Sequence, residues 1–515
     1  TKQTPFCFGP RFDFPELLAG FCAERRIRHD GNRKAVSDWR LRTQHQNNPL
    51  MREGFIFFDS HKSKNVIELQ LDMTENTKKT KRIKPDLPGG FRDYGPQDAI
   101  AKQNITDAIR RVFESFGFDP LETSAVQRTE VLTGGEEDSD KIIYRISPAQ
   151  RGEIVGDEKK EENSLRFDLT VPLARFIATN PDLPKPFKRY EIGRVWRGER
   201  SQAGRYREFM QADADIIGES GMDADAEIAQ IAVAALRQIG IDRFIIGYNN
   251  RKILNALPSF AGFPDDKLWS ALRIIDKKDK IGDARMDKEL RNEFGAPAAK
   301  KIAEFLRFEF SGANQDNEGV REYAAIRQAL ASGGDGAEKY LVPSPSLVRG
   351  LSYYTGSVFE VLLPDAPEIG SVGGGGRYDG LVAQFTGQKI PAVGISIGVD
   401  RLYAAMEKLG TLKRKTTLIQ VLILRMDENL TDEYRSMANA LRAAGIPTAL
   451  YLGDDRSFQA QLAYAVKKEI PNALIYGERE KIKGIVTIKN LAAREQKEIP
   501  KENIAEYFGK ISGMA

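Results

Sequence analysis

Residues 194–218 read RVWRGERSQAGRYREFMQADADIIG. Side chains alternate faces along a strand, so Arg207, Gln211, Asp213 and Asp215 share one face, while Glu208, Met210, Ala212, Ala214 and Ile216 take the other. The run just upstream, Phe187 to Arg197, has strand composition too, with Arg189, Glu191, Arg197 and Glu199 in one parity. The two runs predict a hairpin whose loop is Gly198 to Arg205, with a polar, hydrogen-bonding face and an apolar one. Taken singly, charged strand residues usually mark a solvated sheet face. Here Arg197, Arg200, Arg205 and Arg207 crowd about one turn of chain, and forked guanidinium groups match the oxygens of a polyanion.

Working outward, LPGGFRDYGP at 87–96 is followed by Ile105, Ala108, Ile109, Val112, Phe113 and Phe116 at helical spacing, closed by Gly117. An extended segment through Pro120 comes next, then strand-like residues from Ser164 to Thr170. A helix-rich stretch, Lys252 to Lys339, interrupts the strands. They resume at Tyr353 to Leu363 and Ala392 to Ile397, on either side of GSVGGGGRYDG (370–380), and Val399 to Leu409 has helical spacing. The four glycines 373–376 suit either a flexible turn or close approach of backbone to a ligand. Hairpins and clustered strands predict an α+β domain built on an antiparallel sheet. After the linker Thr411 to Lys415 the pattern changes. Strands at Leu418 to Leu424, Thr448 to Leu452 and Ala473 to Tyr476 alternate with helices from Thr431 and Ser457, which predicts a separate α/β domain with a mostly parallel sheet.

Composition narrows the chemistry. Both cysteines (Cys7, Cys22) and all three histidines (His29, His45, His61) lie in the first 61 residues. Nucleophilic thiols, Ser-His-Asp triads, imidazole bases and Cys/His zinc sites are therefore absent from residues 62–515. Chemistry there falls to carboxylates, arginines, lysines, hydroxyls, or a hard cation held by oxygens. A net charge of +4, set against 77 basic and 73 acidic side chains, argues neither for nor against nucleic acid. The sequence has no apolar run of membrane-spanning length and no signal-peptide pattern, so the expected location is cytoplasmic. Residues 1–72 have no sustained period and read as an N-terminal appendage, with an origin outside the native protein one explanation. Met51 and Met73 are plausible starts, and a targeting role is the weaker alternative.

If the arginines hold a triphosphate, they do so without the usual cradles: the chain has neither a Gly-rich loop ending in Lys-Ser/Thr nor a dinucleotide fingerprint. At this point a resemblance becomes specific. The quoted segment is similar to motif 2 of class II aminoacyl-tRNA synthetases. GISIGVDRL (394–402) resembles motif 3, and the helix and strand through Pro120 resemble motif 1, a dimer interface in that family. RGLSYYTGSVFE (349–360) and GSVGGGGRYDGL (370–381) resemble signatures of histidyl-tRNA synthetases. The likeness runs from about Ile83 to Phe508.

The resemblance implies a class II catalytic domain at 83–251 and 340–410, a helical insertion at 252–339 and an anticodon-binding domain at 416–508. It further implies a homodimer acting on L-histidine, ATP with Mg²⁺, and tRNA(His). Carried over by position, Arg197, Glu199, Arg205 and Arg401 would hold ATP. Asp168 and Thr170 would take the histidine amino group, and Gln211, Asp215, Tyr353 and Tyr354 would line its pocket. Arg349 would lie between carboxylate and α-phosphate, making Arg349 and Arg197 the catalytic pair. Two positions depart from the family pattern: Ser352 stands where an acid is usual, and Asp215 is shorter than the glutamate of bacterial members. The competing expectation is a synthetase-like regulatory subunit of ATP phosphoribosyltransferase. Such relatives typically lack the C-terminal domain and lose catalytic positions, whereas Arg197, Arg349 and Arg401 are present here.

Overall fold

The order in which the chain visits eight strands brings its central hairpin beside strands from the far side of a long insertion. The computed structural model describes residues 21–29, 35–43, 55–57, 83–134, 143–146, 162–199, 205–307, 316–348 and 353–512. They fall into two units, Thr1–Asp86 and Leu87–Ala515. In the first, strands Phe21–His29, Ala35–Thr43 and Phe55–Phe57 form an antiparallel sheet, where the sequence pattern predicted no regular element.

The main sheet of the second unit comprises β1 (Asp119–Pro120), β2 (Phe187–Trp196), β3 (Glu208–Ile217), β4 (Ile245–Asn250), β5 (Leu341–Pro343), β6 (Ser357–Leu362), β7 (Gly373–Arg377) and β8 (Ala392–Gly398). Their spatial order is β5-β4-β6-β7-β8-β3-β2-β1. The six inner strands pair antiparallel as predicted, and only the short edge strands β1 and β5 run parallel to their neighbours. The glycine run is a strand rather than a turn, since β7 has a partner on both sides.

The parity of the hairpin decides which face is buried. Ala212, Ala214 and Ile216 of β3 join Ile395 and Ile397 of β8 in one core. That face is covered by α1 (Pro96–Ser115), α2 (Met222–Gln238), α3 (Glu318–Ser332) and α4 (Val399–Lys408), whose apolar sides supply Ile109, Phe113, Ile228, Ile231, Ile326 and Leu402. The opposite face carries Gln211, Asp213 and Asp215. Residues 164–170 do not continue as a strand: Asn163–Leu165 pairs in a small sheet, and a helix starts at Thr170. The cause is Arg166, which turns inward to donate to the carbonyls of Arg194 and Thr123 and to Glu191. The insertion packs its helices around a core of its own, including Leu257, Leu272, Leu290 and Ile302.

The C-terminal sheet contains β9 (Val421–Ile423), β10 (Thr448–Leu450), β11 (Asn472–Ile475), β12 (Ile485–Asn490) and β13 (Glu495–Pro500), in the order β10-β9-β11-β12-β13. Three strands are parallel as predicted, and β12 and β13 add an antiparallel hairpin, so the sheet is mixed. Alternate residues of β9 enter opposite cores: Val421 and Ile423 pack with Tyr434 and Leu441, while Leu422 packs with Ala465.

At the end of β7, Arg377 closes the main sheet onto the first turn of α2. Its Nε lies 3.1 Å from Asp225 Oδ2, and its two terminal nitrogens donate to the carbonyls of Glu219 (3.0 Å) and Gly221 (3.1 Å). Both ion-pair side chains are almost fully buried. Removing one partner of such a pair strands the other charge, whereas replacing both with apolar groups does not. Asp225→Ala should therefore lower the unfolding free energy by about 3–5 kcal/mol in urea titrations, and the Asp225→Leu/Arg377→Met double variant by clearly less. Equal losses in the two would show that the pair does not act through charge burial.

Candidate active site

The polar face of the hairpin is the floor of a cavity of about 270 Å³. The strand register sets its layout. Asp215 lies between Arg189 of β2 and Gly394 of β8, Asp213 between Glu191 and Ser396, and Gln211 between Gly193 and Gly398. On the β8 side, small or absent side chains beside the three polar ones leave the floor open. At Gly394 this is a steric requirement, because a Cβ there would fall on the Asp215 carboxylate.

Arg189 is fully buried. One of its terminal nitrogens sits 2.9 Å from Asp215 and also donates to the Leu169 carbonyl at 3.1 Å, and Glu191 lies 3.7 Å away. A single guanidinium thus joins the floor to the turn that precedes the helix Thr170–Thr179. In that turn Asp168 Oδ1 accepts from the Val171 N–H at 3.2 Å, while its buried Oδ2 has no hydrogen-bond partner. Glu191 is engaged at 2.6 Å by Arg166. Asp213 and Asp215 therefore share Arg189, Asp168 feels both Arg189 and Arg197, and carboxyl groups outnumber cations at this end of the cavity.

The carboxyl groups respond accordingly. Burial, opposed by the Val171 N–H and by Arg197, raises Asp168 to about 6. Burial and then the neighbouring Asp215 push Asp213 well above the usual carboxylate range, and burial raises Asp215 despite Arg189. Three tyrosines close this end. Tyr353 packs edge-on against Tyr354 and Tyr378, with centroids 4.9 and 5.9 Å apart, and the Tyr378 hydroxyl donates to Asp215 Oδ1. Burial raises all three phenols, so they are neutral hydrogen-bond donors near pH 7. Gln211 donates to Ser396 Oγ, leaving its own buried Oε1 without a partner.

The other end is cationic. Arg197, Glu199, Arg205 and Arg401 all line the cavity. Arg197 is steadied by donation to the Phe167 carbonyl at 3.0 Å and by the Phe209 ring, 5.1 Å away. Arg401 donates to the Ser371 carbonyl from α4. That helix is fixed by its neighbour Asp400, which is buried and accepts from the Met210 N–H (2.6 Å), the Tyr94 hydroxyl (2.5 Å) and Lys102 (2.5 Å).

Of the residues singled out from sequence, Asp168, Thr170, Arg197, Glu199, Arg205, Gln211, Asp215, Tyr353, Tyr354 and Arg401 come together around this one cavity. Arg349, Ser352 and Arg200 lie outside the described residues. Arg207 does not line the cavity with Arg197 and Arg205. It donates to the carbonyls of Gly89 and Glu199, each at 3.2 Å, and its side chain lies over Gly90, whose φ of +89° and lack of a Cβ make the approach possible. Sequence reasoning gave no role to Arg189 or Tyr378. The hairpin register would have paired Arg189 with Asp215, but nothing local marks Tyr378, which reaches Asp215 across 163 residues.

Residues 90–402 match the family Histidyl-tRNA synthetase, and residues 420–511 match Anticodon binding domain. The chain belongs to the histidyl-tRNA synthetase family. Relatives named Histidine--tRNA ligase include that of Paracoccus denitrificans, 40% identical over 81% of this chain and 92% of its own, and that of Aeropyrum pernix, 39% identical over 81% and 96%. The crystal structure of histidyl-tRNA synthetase from Nostoc sp. PCC 7120 superimposes with a TM-score of 0.73 at 32% identity, covering 83% of this chain and all of that one. The fold is thus that of a class II synthetase followed by an α/β anticodon-binding domain.

The raised Asp168 carries a testable consequence. An unfolded aspartate titrates near 3.9 and the folded one near 6, so the ionised form destabilises the empty fold. That penalty is absent below about pH 4, grows as pH rises towards 6, and is constant above. Asp168→Asn should accordingly raise Tm by a few degrees at pH 7.5, progressively less as pH falls to 4, while weakening binding of a cationic ligand. A pH-independent Tm difference between variant and parent would contradict this account.

Proposed function

We infer that the chain activates L-histidine with ATP to form histidyl-adenylate and then transfers the histidyl group to the 3′ end of tRNA(His). The observation that carries this reading is the polarity of one cavity: a carboxylate and tyrosine end facing an arginine end, in a chain of this family. Asp168, with a free buried oxygen, and Thr170 take the α-ammonium group of histidine. Asp215, Gln211, Tyr353 and Tyr354 surround the imidazole, whose ring nitrogens need a donor and an acceptor together. The donor from Tyr378 and the charge of Arg189 fix the Asp215 carboxylate for that role.

Arg197, Glu199, Arg205 and Arg401 bind ATP. Attack of a carboxylate on the α-phosphate brings like charges together, and fixed guanidinium groups stabilise the charge that develops. The nucleophile belongs to the substrate and is already ionised, so no imidazole or thiol of the protein is required. Mg²⁺, when bound with ATP, supplies further charge neutralisation on the phosphates. Among the described residues no cluster of three His, Cys, Asp or Glu side chains could hold a metal; an ion arriving with ATP would be held by phosphate oxygens together with a carboxylate. Glu199, an exposed carboxylate on the cavity wall with no side-chain partner among the described residues, would suit that sharing better than Asp400, which Tyr94 and Lys102 occupy.

We assign residues 83–251 and 340–410 to adenylation, 252–339 to clasping tRNA and 416–508 to the anticodon, with residues 1–72 an appendage to these. The motif 1 segment, α1 and β1, is assigned to a homodimer interface. A cytoplasmic location fits the absence, among the described residues, of any helix long and apolar enough to cross a membrane. The regulatory-subunit alternative is not favoured. The solved structure titled ATP phosphoribosyltransferase regulatory subunit/histidyl-tRNA synthetase from Bacillus halodurans is 22% identical and shares the fold alone, whereas the ligases are about 40% identical over most of the chain.

Pyrophosphate exchange into ATP, run with each of the twenty amino acids, should respond strongly to histidine alone and be followed by charging of tRNA(His). Exchange with another amino acid would overturn the substrate, and none with any would favour the regulatory role. Arg349, assigned to bridge carboxylate and α-phosphate, contributes more in the transition state than in either ground state. Arg349→Ala should slow single-turnover adenylation about a hundredfold, roughly 3 kcal/mol, with little change in substrate binding. Lysine should rescue it only in part. A stable, substrate-binding Arg349→Ala enzyme with near-normal adenylation would remove Arg349 from catalysis.

A further inference from the structure

The segment PGGFRDYGP, which the motifs above leave without a task, lies against the nucleotide end of the cavity. The backbone N–H of Arg207 donates to the Gly90 carbonyl at 2.8 Å, so residues 89–94 are stitched to the chain returning from the motif 2 loop. One residue before Arg207 is Tyr206, which lines the cavity. Arg92 donates to the Tyr206 hydroxyl at 3.0 Å, and its guanidinium lies 4.8, 5.8 and 6.0 Å from the ring centroids of Tyr94, Tyr206 and Tyr403. Three aromatic faces around one cation restrict where it can sit.

The same guanidinium is braced from behind. Asp98 lies 3.8 Å from Arg92 and accepts from the Tyr403 hydroxyl (2.7 Å) and from Arg414 (3.2 Å), which also donates to Tyr403 at 2.9 Å. Arg414 belongs to the linker that leads into the C-terminal domain. Tyr94, stacked edge-on against Tyr403 at 5.8 Å, is held in turn by Asp400, the residue that anchors the helix of Arg401.

We propose that Arg92 is a positioning residue for the nucleotide: it sets the Tyr206 ring, and with it the adjacent Arg205, at the ATP end of the cavity, and it is braced by Asp98, Tyr403 and the linker residue Arg414. This rests on the reading of the cavity as the histidine and ATP site. A purely stabilising role fits the geometry less well. Arg92 is a partly exposed cation whose carboxylate partner is 3.8 Å away, and pairs of that kind add little to stability. Its close contacts are instead with Tyr206, beside the motif 2 return strand, and with Tyr94, which Asp400 ties to the motif 3 helix.

The test is steady-state pyrophosphate exchange by the full chain, varying ATP and histidine separately, alongside thermal unfolding. Arg92→Gln should raise the KM for ATP about five- to tenfold, leave the KM for histidine within about twofold, and barely move Tm. Arg92→Lys should be intermediate, because it keeps the cation over the rings but cannot also span Tyr206 and Asp98. Tyr206→Phe should reproduce part of the ATP effect, and the double variant Arg92→Gln/Tyr206→Phe should be little worse than Arg92→Gln alone. Arg414→Gln should change the ATP KM in the same direction by about two- to threefold, with histidine unaffected. An Arg92→Gln enzyme with unchanged ATP KM, or with both KM values rising together with a fall in Tm, would overturn the proposal. Absence of histidine-dependent exchange in the parent enzyme would instead overturn the reading of the site itself.

Discussion

A single buried cation organises the carboxylate end of the cavity. Arg189 has no access to solvent, and such a charge is tolerable only if its surroundings compensate it. Asp215, Asp213 and Glu191 supply negative charge from two adjacent strands, and the Leu169 carbonyl supplies a dipole from a third segment. Those three segments must therefore meet in one arrangement, which is the arrangement the pocket requires. The carboxylates outnumber the cation, and the surplus is what an ammonium group or an imidazole can satisfy.

Much of this layout was legible in the hairpin. A period of two separates Ala212, Ala214 and Ile216 from Gln211, Asp213 and Asp215, and the two sets went to core and cavity. The helix α1 and the three parallel strands of the C-terminal domain were equally plain, because their apolar residues recur at one period over long enough runs. The failures have identifiable causes. Arg166 looks like a surface residue and is buried, so a strand was predicted where the chain turns into a helix. The antiparallel hairpin Ile485–Asn490 and Glu495–Pro500 has a second strand, EQKEIP, with almost no apolar residue to set a period. The glycines of Gly373–Arg377 have no side-chain preference at all, and only their two partner strands make them a strand.

The site residues divide in the same way. Those within a strand or next to it in sequence, such as Gln211 and Asp215, follow from the alternation alone. Residues that arrive from distant segments, Asp168 from a helix entry and Tyr353 and Tyr354 from beyond the insertion, were placed by family resemblance, and the fold brings them to the same cavity. Arg207 is the instructive exception. Arg197 and Arg205 of the same cluster line the cavity, but the carbonyls of Gly89 and Glu199 and the glycine beneath it turn Arg207 into a structural tie.

The strand order also has a consequence for how the protein is made. β3 ends at Ile217, yet its inner neighbour β8 begins only at Ala392, after the whole insertion. At ordinary rates of translation, roughly 5–20 residues per second, the first hairpin is synthesised about 10–40 s before the strand that will pair with it. During that interval the free edge of β3 offers unpaired backbone groups to any other nascent strand. The apolar side of the hairpin also waits for α4. The middle of synthesis, while the insertion is being made, is therefore when the hairpin is most open to mispairing, and slow stretches of message within the insertion would lengthen that interval.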